Sequence, residues 1–94
     1  VRQSDPYFLE PVFAALASGH RLRLLLLLAI QPHCVCDLAT HSGLSQSLVS
    51  QYMTILENVA LVQKERVGKF TEFSLTPKGK SVVKAIHVIN SFEK

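Results

Sequence analysis

Two cysteines stand two positions apart in His33-Cys34-Val35-Cys36-Asp37-Leu38, and they are the chain's only thiols. So close a pair cannot staple a fold. With no secretory pattern ahead of it, it points to metal or redox chemistry in a reducing cytoplasm. Thiolates are soft ligands that suit thiophilic ions. Residues i and i+2 of a regular helix point apart. Cys34, however, stands at the N-cap position of a helix, with Asp37 three residues on in the capping-box spacing. There it can fold back toward Cys36 and form a two-sulfur chelate. A helix N-terminus also favours the thiolate. A third ligand would come from His33, Asp37, His41 or another chain. Two alternatives stay open: a cysteine pair that oxidises as a redox switch, and two buried cysteines acting as small hydrophobes.

A second group of functional side chains is Ser45, Gln46, Ser47, Ser50 and Gln51. They cluster at the start of an amphipathic helix over 44–56, whose apolar stripe we read as Leu48, Tyr52, Ile55 and Leu56. Ser45 is a suitable N-cap. Ahead of it, 37–43 reads as a short helical stretch ended by Gly43 in a left-handed conformation. Helix, glycine turn and second helix make a helix-turn-helix. The start of its second helix reaches base edges in a DNA major groove. No Lys or Arg lies between Ser45 and Asn58, so positive charge has to come from elsewhere. It comes next: five of the ten basic residues fall between Lys64 and Lys80. Alternation over 62–75 with Gly68-Lys69 at the turn predicts a β-hairpin. Lys64, Arg66 and Lys69 on that hairpin suit a wing that grips phosphates. A protein-interaction module that binds no DNA is the alternative, supported by the uncharged second helix.

The elements that position these groups follow from the rest of the chain. Ninety-four residues predict one domain over 1–94. Hydrophobic residues reach 48% against 18% charged, an apolar surplus that predicts a subunit interface. The net charge of +3 permits nucleic acid without requiring it. No apolar run approaches the ~20 residues of a membrane span, so the expectation is a cytoplasmic protein with no membrane partner. Asp5-Pro6 resembles a cap followed by a first-turn proline. Pro11 would then interrupt that helix, so we expect a turn over 6–9 and a helix over 11–17. Ser18-Gly19 ends it. A helix over 20–30 carries five consecutive leucines and is expected to be buried nearly all round. Arg21 and Arg23 occupy its first turn, the unfavourable end for the helix dipole. They read as solvated, with phosphate contact or a salt bridge as the alternative. A third helix covers 35–40. The last starts at Thr76-Pro77, with Val82, Ala85, Ile86, Ile89 and Phe92 in one stripe suited to pairing with the first helix of a second subunit. There is no glycine-rich loop, metal–water constellation or nucleophile–base pair, so an enzyme is not expected.

The predicted fold is mainly α with a small β-hairpin, in the order α-α-α-α-β-β-α. On that order, the chain resembles the arsenic-repressor (ArsR/SmtB) family of winged helix-turn-helix regulators. The resemblance runs over about 12–88. It is carried by Ala15-Leu16-Ala17-Ser18-Gly19-His20-Arg21-Leu22-Arg23-Leu24, Cys34-Val35-Cys36-Asp37-Leu38, Leu44-Ser45-Gln46-Ser47-Leu48-Val49-Ser50-Gln51, and Gly68-Lys69 followed by Phe73-Ser74-Leu75-Thr76-Pro77. It implies a homodimer built on the first and last helices, repression by binding an operator in double-stranded DNA, and release by an inducer. Two such reading helices about one DNA turn apart (~34 Å) predict an inverted-repeat operator. In arsenite- and antimonite-sensing members a Cys-Val-Cys at this position holds the metalloid, and Cys34 and Cys36 match those ligands. A third cysteine of some members would fall at Ala39. The last-helix ligands of zinc-sensing members are not matched, as His87 stands alone. The common His-Leu of the second helix appears here as Tyr52-Met53. No cofactor is required for the fold; arsenite, antimonite or another soft ion would be the inducer.

Overall fold

Short side chains that can accept from a backbone N–H begin four of the helices. The computed structural model describes residues 6–92. Its helices are α1 (Pro6–Leu16), α2 (Gly19–Ile30), α3 (Val35–Ser42), α4 (Gln46–Asn58) and α5 (Pro77–Ser91), with strands β1 (His33–Cys34), β2 (Val62–Val67) and β3 (Phe70–Leu75). Ser18 accepts from the N–H of Arg21, Cys34 from Asp37, Ser45 from Leu48 and Thr76 from Gly79. Each bond satisfies a donor that the first helical turn leaves unpaired.

The first helix departs from expectation. Instead of a turn over 6–9, α1 is one helix from Pro6 with Pro11 inside it. Pro11, at the middle of the helix, removes a single donor from the ladder. Val12 and Ala15, which follow it, are buried in the core and hold the helix in place. The cap proposed at Asp5 lies outside the described residues. In α2, Leu24, Leu25 and Leu28 are buried, while Leu22, Leu26 and Leu27 remain half-buried. The all-round burial expected of α2 is therefore confined to one side. Arg21 and Arg23 are not simply solvated: Arg21 Nε donates to the Ala15 carbonyl at 2.6 Å, and Arg23 Nη2 to the His41 carbonyl at 3.1 Å.

The sheet has one strand more than the sequence suggested. β1 pairs antiparallel with β3, His33 opposite Phe73 and Cys34 opposite Glu72, giving the order β1-β3-β2. β2 and β3 form the expected hairpin, from Val62 opposite Leu75 to Val67 opposite Phe70. An isolated two-stranded hairpin is marginally stable in water. Here β1 lies along its inner edge, and Phe73 and Leu75 are buried. A two-residue strand is too short for alternation to reveal it.

The core gathers Leu38 of α3, Val49, Met53 and Leu56 of α4, Leu61, Val62, Phe73, Leu75 and Val83 around the α2 leucines. The inward stripe of α4 is thus Val49-Met53-Leu56. Leu48 and Tyr52 are half-buried and Ile55 is exposed, so the helix is rotated by about one residue from the predicted face. On α5, Gly79 and Val83 face inward. Val82, Ala85, Ile86 and Ile89 instead line an open apolar groove with Leu9, Val12, Phe13 and Leu16 of α1. No single helix among the described residues is long and apolar enough to cross a membrane.

Gly79 marks where α5 meets the loop before β2: a Cβ there would overlap the Leu61 carbonyl, a rigid backbone group. We expect Gly79→Ala to lower stability by about 1–3 kcal/mol, the range for overpacking. Gly19→Ala, whose Cβ meets nothing within 4 Å, should change it by less than about 1 kcal/mol. Urea unfolding of both variants checks the contrast.

Candidate nucleic-acid interface and thiol site

Gly43 ends α3 in the left-handed region at φ 78°, its N–H bonded to the Ala39 carbonyl at 2.9 Å. Ser42 Oγ then accepts from the N–H of Leu44 at 3.2 Å, which fixes the turn into α4. Ser45, Gln46, Ser47, Ser50 and Gln51 are all exposed. They stand at the N-terminal end of α4, where the helix dipole presents partial positive charge. The Ser45 hydroxyl already accepts from Leu48 at 3.1 Å, so its main service is to shape this end. Gln46, Ser47, Ser50 and Gln51 carry no net charge, and they offer both donors and acceptors to a base edge or phosphate.

The basic residues of the hairpin are less uniform than their spacing suggested. Lys64 Nζ lies 4.0 Å from Glu57 Oε1 near the end of α4. Arg66 Nε donates to the Gly68 carbonyl at 3.1 Å and closes the turn. Lys69 stands exposed at the tip beside Gly68, whose φ is 61°. The structure therefore brings Lys64 next to α4, while Lys69 extends away from the body. Lys78, one of the five clustered cations, donates to the Val59 carbonyl at 2.9 Å and braces the loop between α4 and β2. Val67 and Phe70 form an exposed apolar pair at the tip, which the charge pattern did not announce.

At the other end of α3, the two sulfurs converge: Cys34 Sγ lies 2.6 Å from Cys36 Sγ, and both cysteines are free and half-buried. Cys34 is still extended at φ −81°, ψ 168°, which lets it turn back on Cys36 as expected. Its sulfur accepts from the N–H of Asp37 at 3.4 Å. Among the described residues, Cys34, Cys36 and Asp37 place one donor atom each within 4.8 Å of one another. Beside them His33 is buried. Its Nδ1 has no hydrogen-bond partner among the described residues and lies 3.9 Å from Asp37 Oδ2, too long for a hydrogen bond. The His41 ring meets His33 edge-on at 5.4 Å between centroids.

The Cys34 thiol is pushed above its ordinary value, mainly by its hydrogen bond with Cys36 and then by burial. The Asp37 N–H at the helix start pulls it down but is outweighed, and the Asp37 carboxylate adds to the rise. The depressed thiol expected from the helix N-terminus alone is thus reversed by its neighbours. The donor set still fits a thiophilic ion: two converging sulfurs, with a carboxylate rather than a third sulfur beside them. Position 39 is a half-buried alanine.

Residues 18–64 match the bacterial regulatory proteins of the arsR family. A transcriptional repressor SmtB homolog from Synechocystis is 48% identical over 63 residues, 67% of this chain and 48% of the relative. The arsenical resistance operon repressor of Escherichia coli is 36% identical over 73 residues, 74% of this chain and 62% of the relative. The chain therefore spans about half to three fifths of the length of these curated relatives. Among solved structures, the homodimeric winged helix-turn-helix DNA-binding domain of a possible ArsR-family regulator from Mycobacterium bovis superposes with a TM-score of 0.82 at 25% identity. That match covers 98% of this chain and 85% of the other.

Removing the main cause of the raised thiol tests its origin. In Cys36→Ala the Cys34 thiol should fall back toward the ordinary value of a cysteine thiol. Its alkylation by iodoacetamide should then rise at lower pH than in the native chain, as the thiolate is the reactive form. Rates measured by mass spectrometry across pH 7–10 read the shift.

Proposed function

Because the chain belongs to the arsR family of bacterial regulatory proteins, a family of transcriptional regulators and not of enzymes, we propose the following function. It is a cytoplasmic, dimeric repressor that binds an inverted repeat in double-stranded DNA and leaves it when a soft metal or metalloid ion takes Cys34 and Cys36. The observation that carries this is the Cys34 junction. One residue ends β1, caps α3 and holds its sulfur against Cys36, so a ligand on the sulfurs acts on the helix that positions α4.

DNA recognition divides between two surfaces. Gln46, Ser47, Ser50 and Gln51 face base edges from the start of α4, with Ser45 shaping that end. Lys64, Arg66 and Lys69 carry the phosphate contacts. The apolar groove between α1 and α5 supports dimerisation through the first and last helices. Two α4 helices about one DNA turn apart, ~34 Å, then call for an inverted repeat. The homodimeric Mycobacterium bovis domain supports the same assembly.

The donors decide the chemistry of release. Arsenous acid exchanges two hydroxyls for the two thiols: two As–S bonds form, two As–O bonds break, and two waters leave with the thiol protons. A divalent ion displaces two protons into solution instead. In either case the S–H of Cys34 would be replaced by a bond to the ion and its hydrogen bond with Cys36 would be lost, so the start of α3 would have to adjust. A differential affinity of about 1–3 kcal/mol between the DNA-competent and released states gives a 5- to 150-fold response. The same 2.6 Å approach of the sulfurs favours a second reading, in which peroxide oxidises the pair to a disulfide, two thiols and one peroxide giving the disulfide and two waters.

A DNA-binding titration with and without arsenite, antimonite, cadmium, zinc and peroxide separates these readings. We expect arsenite to weaken binding in the native chain. Cys34→Ser/Cys36→Ser should keep native DNA affinity and lose the response. Release by peroxide but not arsenite selects the redox reading, and no duplex binding selects an interaction module. Lys69→Ala should lower the slope of log affinity against log salt by about 1. Cadmium sensitivity should weaken from pH 8 to pH 6, because protons compete for the thiols. Arsenite sensitivity should change little, because its exchange releases no net proton.

A further inference from the structure

Three side chains at the start of α2 tie it to the ends of α1 and α3 and to Tyr52 of α4. Arg21 Nε donates to the Ala15 carbonyl at 2.6 Å and Nη2 to the Ala14 carbonyl at 3.4 Å, both at the end of α1. The guanidinium carbon of the same residue stands 5.4 Å from the centre of the Tyr52 ring on α4. The His20 ring stacks on that tyrosine, 6.1 Å between centroids and 24° between planes. Arg23 Nη2 reaches the His41 carbonyl at the end of α3. Cations at helix C-termini are favourable, so two arginines at the unfavourable end of their own helix are satisfied by the carbonyl ends of α1 and α3.

We propose that Arg21 is a positioning residue: clasped between the end of α1 and the Tyr52 ring, it fixes the angle of α4 to the α1–α5 dimer face. It thereby sets the half-site spacing that the dimer accepts. The assignment rests on reading α4 as the DNA-reading helix. Its geometric basis is the shared guanidinium. Leu9, Val12, Phe13 and Leu16 of α1 line the dimer groove, and Tyr52 directly follows Gln51 at the middle of α4. Arg21 is the side chain that touches both α1 and Tyr52. A guanidinium does this with a fork of donors and a flat face for the ring, and a lysine ammonium has neither.

Two measurements test it. In a Cys34→Ser/Cys36→Ser background diluted with excess unlabelled chain, spin labels at Glu10→Cys on α1 and Thr54→Cys on α4 report the angle within one chain, whether or not it pairs with a second copy and with no DNA present. We expect a single narrow distance distribution. Arg21→Lys and Tyr52→Leu should broaden it, while Tyr52→Phe, which keeps the ring, should not. In unlabelled protein, the same two variants should lose discrimination between an inverted repeat and the repeat with one base pair added or removed. The expected loss is roughly 2- to 30-fold, the span for residues that relay coupling without touching the ligand. An unchanged distance distribution in Arg21→Lys overturns the clasp, and so does a parallel loss of affinity for all spacings. If the native chain binds no duplex, the DNA-reading role fails and the spacing role with it, while the distance measurement alone still decides whether Arg21 sets the helix angle.

Discussion

The burial of one face of α4 is the constraint on which the rest depends. Val49, Met53 and Leu56 are fully buried, and each such side chain contributes about 1.5–3 kcal/mol. Summed, that is comparable to the net stability of a small domain. It fixes which way the opposite face looks. Gln46, Ser47, Ser50 and Gln51 carry no charge that could steer them to a partner at long range. Their usefulness depends on being held at a set angle by the far side of the helix. A one-residue rotation of α4 would turn Val49 outward and carry Ser50 toward the core.

Much of this was legible because it rests on strong local signals. Ser45 and Thr76 are hydroxyl caps, Gly43 supplies a left-handed turn, and the 62–75 alternation is broken only at Gly68-Lys69. The structure reproduces each of them. What was not legible depends on contacts distant in sequence. β1 exists because two residues meet Glu72 and Phe73, about forty positions away, and two residues have no period to read. The face of α4 was misplaced by one residue because Leu48 and Ile55 are as apolar as Val49 and Met53, and only packing against α2 and α3 chooses between them. Pro11 reads in the sequence as a break. Burial of Val12 and Ala15 outweighs its one missing donor.

The thiol site shows how local rules compete. A helix start favours the thiolate, and Cys34 does receive an N–H from Asp37. Its closer neighbour is another thiol, however, with a carboxylate nearby, and both act in the opposite direction. A sulfur that serves as helix cap, strand end and candidate ligand cannot change partners without disturbing one of the others. That overlap gives Cys34 more structural leverage than Cys36. Cys34 pairs with Glu72 of the hairpin and caps the helix leading to α4, so the hairpin and the helix-turn-helix join at one residue.

The arginines of α2 extend the same logic to the subunit face. The chain's apolar surplus is not all spent in the core: Phe13 and Ile89 remain 64% and 63% exposed, bordering the groove between α1 and α5. A monomer leaves that groove in water, and in the proposed dimer a second copy would cover it and pack on α1. The end of α1 is where Arg21 is anchored, and the other face of Arg21 is Tyr52. Dimer packing and the angle of the reading helix are therefore joined through one guanidinium. Input at Cys34 reaches α4 from the opposite side, through α3. A helix held from both sides is displaced when either hold changes, so under the proposed function the core that makes α4 rigid would also let it respond to assembly and to a ligand on the thiols.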